Sequence, residues 1–298
     1  MQLSVVIITF NEEANIGRTL ESVKPLVSDG KGEIIVVDSG STDRTVEVAK
    51  SYGARIFVEE WKGFAAQKNS AIDKACGKWI LSLDADEEVE PELLHSLNDT
   101  LEGMERVAEL NRQTDSVAPD QRCAHSLTLE DATSDLEYHI GDKFNGDFVG
   151  LYIPRKNEFL GRWIRRGGFW PDPKLRFFRR GSGYFEDRPV HEDVKVAGST
   201  GQIAYGALLH HCYPTISDYI EHMNRYSSLG AEMVVAKGKV RFTFLNITAR
   251  PLLTFIYNYF FRLGFLDGKE GLLLHLNHAV YVSWKYAKAY ELSRHGAS

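Results

Sequence analysis

Two aspartates separated by one residue, Asp84 and Asp86, follow an apolar stretch that ends at Leu83. Carboxylate oxygens at positions i and i+2 can both reach one hard divalent cation, and such a cation can bridge phosphate groups. An isolated Asp-x-Asp sequence is weak evidence, because this spacing is frequent in acidic loops. Its position after a predicted strand strengthens the case, and we predict that Asp84 and Asp86 bind Mg²⁺ or Mn²⁺.

Short apolar stretches alternate with amphipathic ones through the first hundred residues. The sequence predicts strands over 5–10, 33–38, 55–58 and 79–84, and helices between them, including 43–52 and 64–75. This alternation is typical of an α/β domain with an open parallel sheet. Ligands of such sheets bind beyond the carboxyl ends of the strands. We therefore expect Thr9, Asn11, Asp38 and Asp84, which stand at three strand ends, to face one crevice.

An acidic residue after the second strand also occurs in dinucleotide-binding folds, so a dehydrogenase is an alternative. The turn after the first strand argues against it, because residues 11–16 contain no glycine and include Glu12 and Glu13. A diphosphate needs a glycine-rich turn that exposes backbone N–H groups at a helix N-terminus. No Walker loop occurs either, so a divalent ion at Asp84 and Asp86 would have to neutralise the diphosphate.

Composition narrows the class of protein further. The chain has 298 residues, 43% apolar and 26% charged, with a net charge of -6, which does not favour nucleic-acid binding. The three cysteines, Cys76, Cys123 and Cys212, are far apart. Their spacing fits a reducing compartment, so we expect a cytoplasmic protein. The most apolar later stretch, 242–263, is interrupted by Arg250 and Arg262 and is not expected to span a membrane.

Several segments together resemble the family 2 glycosyltransferases of the GT-A fold, namely residues 5–13, 35–43, 68–69 and 83–87. Later segments resemble the branch of this family that contains bacterial lipopolysaccharide inner-core glucosyltransferases; they are 153–157, 159–163, 171–176, 190–192 and 264–268. The resemblance implies a GT-A, Rossmann-like nucleotide-diphospho-sugar transferase domain. It also implies inverting transfer of a sugar, expected to be glucose, from a UDP-sugar to a lipopolysaccharide core sugar or a related glycan.

The resemblance also assigns roles to the residues at the strand ends. It implies that Thr9 and Asp38 contact the base and ribose of the nucleotide, and that Asn11 shapes the crevice. Asp84 would lie near the ribose or diphosphate as well as the metal, and Asp86 would bind the metal. For Asp38 the alternative is a cap in the turn over residues 38–43.

Two further residues are candidates for the same site. Lys68 could pair with the charge of the diphosphate, or it could be a solvated helix residue. GT-A enzymes often supply a histidine from the carboxyl-terminal part of the chain to the metal, and of His210 and His211 we select His211. An isolated histidine is more often structural than a metal ligand, so that alternative stays open.

The catalytic base is expected in the segment 183–193, which contains four carboxylates. Arg188 could pair with Glu186 or Asp187 and keep it an ordinary surface anion. Glu192 follows an apolar pair and a histidine, and partial burial would raise its proton affinity, as a general base requires. We predict Glu192 as the base, with Asp187 as the second candidate; the segment could instead only cap the next element.

The chain divides by composition into a predicted catalytic domain, 1–212, and a helical carboxyl-terminal extension, 213–298. Within the first, about 105–146 is polar with weak periodicity and predicts an insertion or mobile region. An aromatic and basic cluster predicts either a surface loop or an acceptor site; its members are Trp163, Trp170, Arg165, Arg166, Lys174 and Arg176.

Apolar residues at helical spacing between Leu252 and Leu263, with lysines and arginines nearby, predict a buried helix face. Their alternative is a helix on the inner-membrane surface, which would suit a lipid-linked acceptor. Two other functions also stay open. The same donor chemistry could act on a polysaccharide, a lipid phosphate or a peptide, or the chain could be a non-catalytic nucleotide-sugar-binding module.

Overall fold

The computed structural model describes residues 1–116, 137–140, 148–187, 193–238 and 245–295. These residues form two compact units. The first contains the described parts of Met1–Pro154, Pro173–Asp187 and Glu192–Leu209. The second contains the described parts of Arg155–Asp172 and His210–Ser298.

The strands and helices alternate in the first unit, and helices predominate in the second. The strands are β1 (Leu3–Thr9), β2 (Gly32–Asp38), β3 (Arg55–Val58), β4 (Trp79–Asp84), β5 (Glu87–Val89), β6 (Phe148–Ile153), β7 (Arg155–Phe159), β8 (Arg162–Trp163), β9 (Lys174–Arg179), β10 (Gly183–Phe185), β11 (Val194–Val196), β12 (Ser199–Gln202) and β13 (Leu208–Tyr213). The α-helices are α1 (Ile16–Val27), α2 (Thr45–Ser51), α3 (Phe64–Asp73), α4 (Pro91–Ser116), α5 (Ile216–Ala236), α6 (Arg250–Ile256) and α7 (Gly268–His295).

The main sheet of the first unit has the strand order β12-β6-β9-β4-β1-β2-β3. Its four amino-terminal strands are parallel, as the sequence predicts, and Thr9 lies opposite Asp38 while Ile8 lies opposite Asp84. The sheet continues beyond these strands with β9, which runs antiparallel to both β4 and β6. The parallel part is sufficient to bring the ends of β1, β2 and β4 to one edge.

The core lies on both faces of this sheet. All seven residues of β1 are buried, which is typical of a central strand covered on both sides. Successive side chains of a strand point to opposite faces. Val5 and Ile7 accordingly pack in one apolar cluster with residues of α1 and α4, and Val6 and Ile8 pack in another with residues of α3.

Part of the predicted polar insertion is helical. Helix α4 continues to Ser116, and Val107 is buried in the core with Met104 and Leu110 packed against it. These apolar residues recur every three positions among charged ones, so the helix has only a narrow core-facing stripe. Residues 117–136 and 141–146 of the insertion lie outside the described residues.

The second unit is built around helices α5 and α7. A small core contains Phe159, Ile164, Tyr219 and Leu274, contributed by β7, the residue after β8, and the two helices. Within the predicted helical extension, 213–298, the helical backbone is interrupted at Leu263, which has a positive φ of 60°, and a 3₁₀ turn follows over Gly264–Asp267. None of the helices within the described residues is both long and apolar enough to cross a membrane.

Candidate active site

Asp84, the last residue of β4, lies between two buried cations. The Lys68 Nζ atom is 2.7 Å from Asp84 Oδ1, and Arg176 Nη2 is 2.5 Å from Asp84 Oδ2. Lys68 is only 6% exposed and its ammonium also lies 5.1 Å from the centre of the Phe185 ring. The alternative of a solvated Lys68 is therefore wrong. Contact of Lys68 with a diphosphate stays a prediction.

Arg176 joins Asp84 to a second acidic residue, Glu87 at the start of β5. The guanidinium is 2.7 Å from Glu87 Oε1, and Glu87 Oε2 accepts the backbone N–H of Asp84 at 3.0 Å. Burial alone would lower the pKa of Arg176, but the charges of Asp84 and Glu87 outweigh burial and raise it. This buried group fixes the orientation of the Asp84 carboxylate at the strand end.

Two hydroxyl groups at the ends of β1 and β2 are buried without a hydrogen bond. Thr9 is 5% exposed, and its Oγ1 atom and the Oγ atom of Ser39 have no partner among the described residues. Ser39 donates its backbone N–H to the carbonyl oxygen of Thr9 at 2.9 Å, so the two residues are adjacent. Buried hydroxyls are normally paired, and these two could be paired by a bound ligand. The nucleotide contact predicted for Thr9 stays a prediction.

Asp38 organises the turn after β2. Its Oδ1 atom accepts the backbone N–H groups of Gly40 at 3.0 Å and Ser41 at 2.9 Å, and its Oδ2 atom accepts the Ser41 hydroxyl. Asn11 joins this turn to the one after β1, because its Oδ1 atom accepts the Thr42 N–H at 2.9 Å. Both residues thus shape the crevice, and the contact predicted between Asp38 and the ribose remains untested.

Asp86 lies half-buried in the turn between β4 and β5, close to the charges of Asp84 and Glu12. Burial raises the pKa of Glu12 above its ordinary value, and the negative charges of Asp86 and Asp84 raise it further. The carboxylates of Glu12, Asp84 and Asp86 therefore lie close enough to influence one another. Oxygen donors with excess negative charge fit Mg²⁺ or Mn²⁺.

The described residues do not contain three or more His, Cys, Asp or Glu side chains grouped so that they could hold a metal ion. Each oxygen of Asp84 contacts one cationic nitrogen, and a carboxylate oxygen has a second lone pair that a metal could use. The metal contacts predicted for Asp84 and Asp86 stay predictions.

The β10–β11 hairpin holds the segment predicted to contain the base. Asn69 on α3 donates to the Phe185 carbonyl at 2.9 Å and accepts the Phe185 N–H at 2.8 Å, which attaches β10 to the helix beside the site. Asp187 is exposed after β10, while Glu186 pairs with Lys195. Glu192, the predicted base, lies outside the described residues, and neither assignment is tested.

His211, the predicted third metal residue, belongs to the second unit. Its Nδ1 atom is 2.7 Å from Glu158 Oε2, and the neighbouring His210 Nδ1 is 2.7 Å from Asn157 Oδ1. Each histidine is thus attached to β7 through one ring nitrogen. A metal role for His211 would use the other nitrogen and stays a prediction.

The predicted aromatic and basic cluster is divided by the fold. Arg176 is 5% exposed and belongs to the buried Asp84 group, so its inclusion in a surface cluster is wrong. Trp163 and Trp170 pack edge to face in the second unit, with ring centres 5.1 Å apart. The sequence analysis did not assign Glu12, Ser39 or Glu87 to the site, and it did not predict that Arg176 pairs with Asp84 and Glu87. Glu12 and Glu87 could have been included because they are acidic residues next to the motifs.

Two known proteins align with nearly the whole chain, and a third aligns with part of it. The lipopolysaccharide core biosynthesis glycosyltransferase LpsC of Rhizobium meliloti is 28% identical over 98% of this chain and 93% of its own length. An uncharacterized glycosyltransferase of Rickettsia typhi is 28% identical over 98% of this chain and 88% of its own length. A dolichyl-phosphate hexose transferase of Haloferax volcanii is 35% identical over 33% of this chain and 43% of its own length.

Solved structures also align with the chain. Staphylococcus aureus TarS 1-349 in complex with UDP covers 99% of this chain and 92% of its own, with 17% identity and a TM-score of 0.45. The sequence model described as "Glycosyl transferase family 2" matches residues 4–164, more than half of the chain. The chain therefore belongs to glycosyl transferase family 2: it is a glycosyltransferase with a GT-A α/β domain and a helical carboxyl-terminal region.

Proposed function

We propose that this protein is a metal-assisted, inverting glycosyltransferase that moves a sugar from a UDP-sugar to a glycan acceptor. The sugar that we propose is glucose. One observation supports it above others in a chain of family 2: Asp84 is held by Lys68 and Arg176 at a strand edge. The Thr9 hydroxyl, which is buried with no hydrogen-bond partner among the described residues, lies at the same edge. We assign residues 1–212 to catalysis and 213–298 to a helical extension.

In this proposal the donor occupies the crevice at the ends of β1, β2 and β4. The Thr9 hydroxyl and Asp38 would receive the nucleoside, and Asp86, with Asp84 beside it, would hold Mg²⁺ or Mn²⁺. When bound, the metal would neutralise the charge that develops on the leaving diphosphate. Lys68 and Arg176 act on Asp84, because each contributes an ion pair that keeps this carboxylate in place. His211 is kept as a further candidate ligand.

Inversion requires one displacement and one base. Glu192, with Asp187 in reserve, would take the proton from the acceptor hydroxyl as its oxygen forms a bond to the anomeric carbon. The bond between that carbon and the diphosphate oxygen breaks in the same step, and UDP leaves. A carboxylate is suited to this work when its proton affinity is matched to the reacting group. The resemblance of 190–192 to the family motif supports the choice of Glu192.

For the acceptor we propose a lipopolysaccharide core sugar or a related lipid-linked glycan. The name of the Rhizobium meliloti relative, which aligns with nearly the whole chain, supports this class. The reaction would then take place in the cytoplasm at the face of the inner membrane. Polysaccharides, lipid phosphates and peptides remain the other acceptors to be compared.

A second observation supports contact with that membrane. The predicted apolar stripe is incompletely covered: Leu252 is 56% exposed, and Phe255, Ile256 and Tyr259 are partly buried. Several apolar side chains of this segment are exposed, and three of them are spaced four residues apart, as on one face of a helix. They include Leu252, Leu253, Tyr257, Phe260 and Phe261. Arg250 and Arg262 lie at its two ends. An apolar face between cations is typical of an interfacial helix on an anionic bilayer.

Vesicle sedimentation tests the membrane proposal. The protein is expected to sediment with phosphatidylglycerol vesicles, less so at high salt, because electrostatic attraction is screened. Phe261→Glu should reduce sedimentation, whereas Ile220→Glu, a change of another exposed apolar residue in the second unit, should not. If the protein does not sediment with vesicles and instead self-associates through Phe261, the exposed apolar surface between Leu252 and Leu263 joins copies of the chain, and the membrane proposal is wrong.

The transfer itself is tested with a panel of nucleotide sugars, with and without Mn²⁺. Specific donor binding should raise the melting temperature, since a ligand that binds only the folded state stabilises it. UDP-glucose with Mn²⁺ is expected to give the largest shift and slow release of glucose without an acceptor. Donor binding without any hydrolysis or transfer would favour the non-catalytic alternative.

A further inference from the structure

A pocket of about 480 Å³ lies in the second unit, between the β7–β8 turn and the 3₁₀ turn Gly264–Asp267. Its volume falls within the range of roughly 300–1,000 Å³ that is common for small-molecule sites. The wall consists of a glycine and six larger residues, Arg162, Trp163, Arg165, Arg166, Leu266 and Asp267. Three arginines in one small pocket are suited to an anion.

The acidic groups around this pocket are already engaged. Asp267 is only 3% exposed, and its carboxylate accepts the backbone N–H groups of Arg165 at 3.2 Å and of Arg166 at 2.8 Å. Glu270 pairs with Arg162 at 3.4 Å. The guanidinium groups of Arg165 and Arg166 are exposed, and neither has a carboxylate partner within the described residues. Two arginine side chains are thus available to a ligand.

The Trp163 ring is covered by two cationic side chains. The Arg165 Cζ atom lies over the ring at 4.3 Å from its centre, and Lys156 Nζ lies at 4.6 Å. Such stacking restricts the guanidinium while leaving its N–H edges able to bind a planar or tetrahedral oxyanion in bidentate fashion. The aromatic ring therefore favours an anionic ligand over a neutral sugar stacked on the indole.

The loop that carries the arginines has a fixed backbone. Gly167 and Gly168 have positive φ values of 68° and 90°, and a side chain at either would collide with His275 or Arg262. Gly167 also donates its N–H to the Arg262 carbonyl at 3.0 Å. With the two bonds to Asp267, these contacts hold the backbone of Arg165 and Arg166 in place before a ligand arrives, which lowers the entropic cost of ordering the loop on binding.

We propose that this pocket binds a phosphate group carried by the acceptor sugar. The inference rests on the proposed function in one respect, that the ligand is the acceptor. Leu266 in the pocket wall is 52% exposed, and its neighbour Phe265 is 42% exposed, so the pocket is flanked by exposed apolar side chains that directly follow, in the sequence, the segment proposed to meet the bilayer. That position suits a phosphorylated sugar on a lipid anchor.

Equilibrium dialysis without any donor tests the site directly, using glucose 6-phosphate, glucose, and phosphatidylglycerol vesicles as probes. Wild-type protein should bind glucose 6-phosphate and not glucose. The double change Arg165→Gln and Arg166→Gln should weaken this binding at least about tenfold, as expected for lost hydrogen bonds to a charged group. Arg225→Gln is the matched control, because Arg225 also lies over an aromatic ring, Tyr226, outside the pocket.

Equal binding of glucose 6-phosphate by the wild type and the double variant would overturn the proposal, as would no saturable binding by the wild type. A loss confined to the vesicle probe would also overturn it, because the pocket would then be a lipid headgroup site. The side chains of Arg165 and Arg166 are exposed, so an unchanged melting temperature is expected and checks folding.

A transfer assay separates this inference from the proposed function. With an acceptor that carries phosphate, phosphatase treatment should raise the wild-type KM at least about tenfold, and the double variant should show little difference between the two forms. Equal wild-type KM values for both forms would overturn the pocket assignment and leave sugar transfer intact. Binding of glucose 6-phosphate through Arg165 and Arg166 without any sugar transfer would support the anion site and contradict the proposed function.

Discussion

Replacing Arg176 by methionine removes the buried cation that joins Asp84 to Glu87. Arg176 is 5% exposed and Glu87 is 0% exposed, so the change leaves a carboxylate in the core without its cation. Breaking a buried ion pair by removing one partner typically costs roughly 3–5 kcal/mol of stability. Asp84 keeps its contact with Lys68 at 2.7 Å, and Glu87 keeps the Asp84 N–H at 3.0 Å, so we expect the lower end, about 3 kcal/mol.

Urea unfolding of the purified protein measures this loss in the free energy of unfolding. Arg179→Met is the matched control, because Arg179 lies on the same strand with its side chain exposed, and its effect should stay within about 0.5 kcal/mol. The double variant Arg176→Met with Glu87→Met should lose less stability than the two single changes combined, by at least about 1 kcal/mol.

Two results would refute this reasoning. A loss below about 1 kcal/mol for Arg176→Met would show that the guanidinium does not compensate a buried charge. Strictly additive losses in the double variant would show that Arg176 and Glu87 do not act on each other.

Three further predictions concern the surroundings of the site. Glu192→Gln should lower turnover about 10²-fold or more with UDP binding unchanged; normal turnover together with an inactive Asp187→Asn would transfer the base to Asp187. Because the pKa of Glu12 is raised in the fold, its protonated form stabilises the protein below the ordinary value of 4.5, and this contribution is lost as pH rises. Glu12→Gln should therefore raise the melting temperature at pH about 8 more than at pH about 4, and an equal shift at both would contradict the argument. Asn69→Ala removes both hydrogen bonds to the Phe185 backbone and should cost about 1–3 kcal/mol in urea unfolding; wild-type stability would disprove their role.

The sequence predicted the part of the fold that local pattern determines. Continuous apolar runs such as 79–84 are buried on both faces, so their strands could be located closely. The direction of β9 could not, because a buried apolar strand has the same pattern in a parallel or an antiparallel pairing. Helix α4 beyond Glu105 was missed for a related reason, since its narrow apolar stripe gives little periodic signal.

The site could be predicted in outline but not in its pairings. The placement of Asp84 and Asp38 at one edge of the sheet could be predicted, because the strand ends of a parallel sheet meet there. The contact between Arg176 and Asp84 joins residues 92 positions apart, and an arginine destined for burial looks like a surface arginine in sequence. The sequence could not decide either whether the apolar residues from Leu252 to Leu263 pack in the protein core or contact a bilayer. An apolar helix stripe has the same sequence pattern in both cases.

The central claim is that the crevice beyond β1, β2 and β4 binds a nucleotide diphosphate with a divalent cation at Asp86. Calorimetric titration of UDP with and without Mn²⁺ tests it most directly. We expect wild-type protein and Asp73→Asn, a change of an exposed aspartate at the end of α3, to bind UDP more tightly with Mn²⁺. Asp86→Asn should lose this dependence on Mn²⁺ while keeping its melting temperature. If Asp86→Asn binds UDP with the same affinity and the same Mn²⁺ dependence as the wild type, the metal does not lie at Asp86 and the account of the site is wrong.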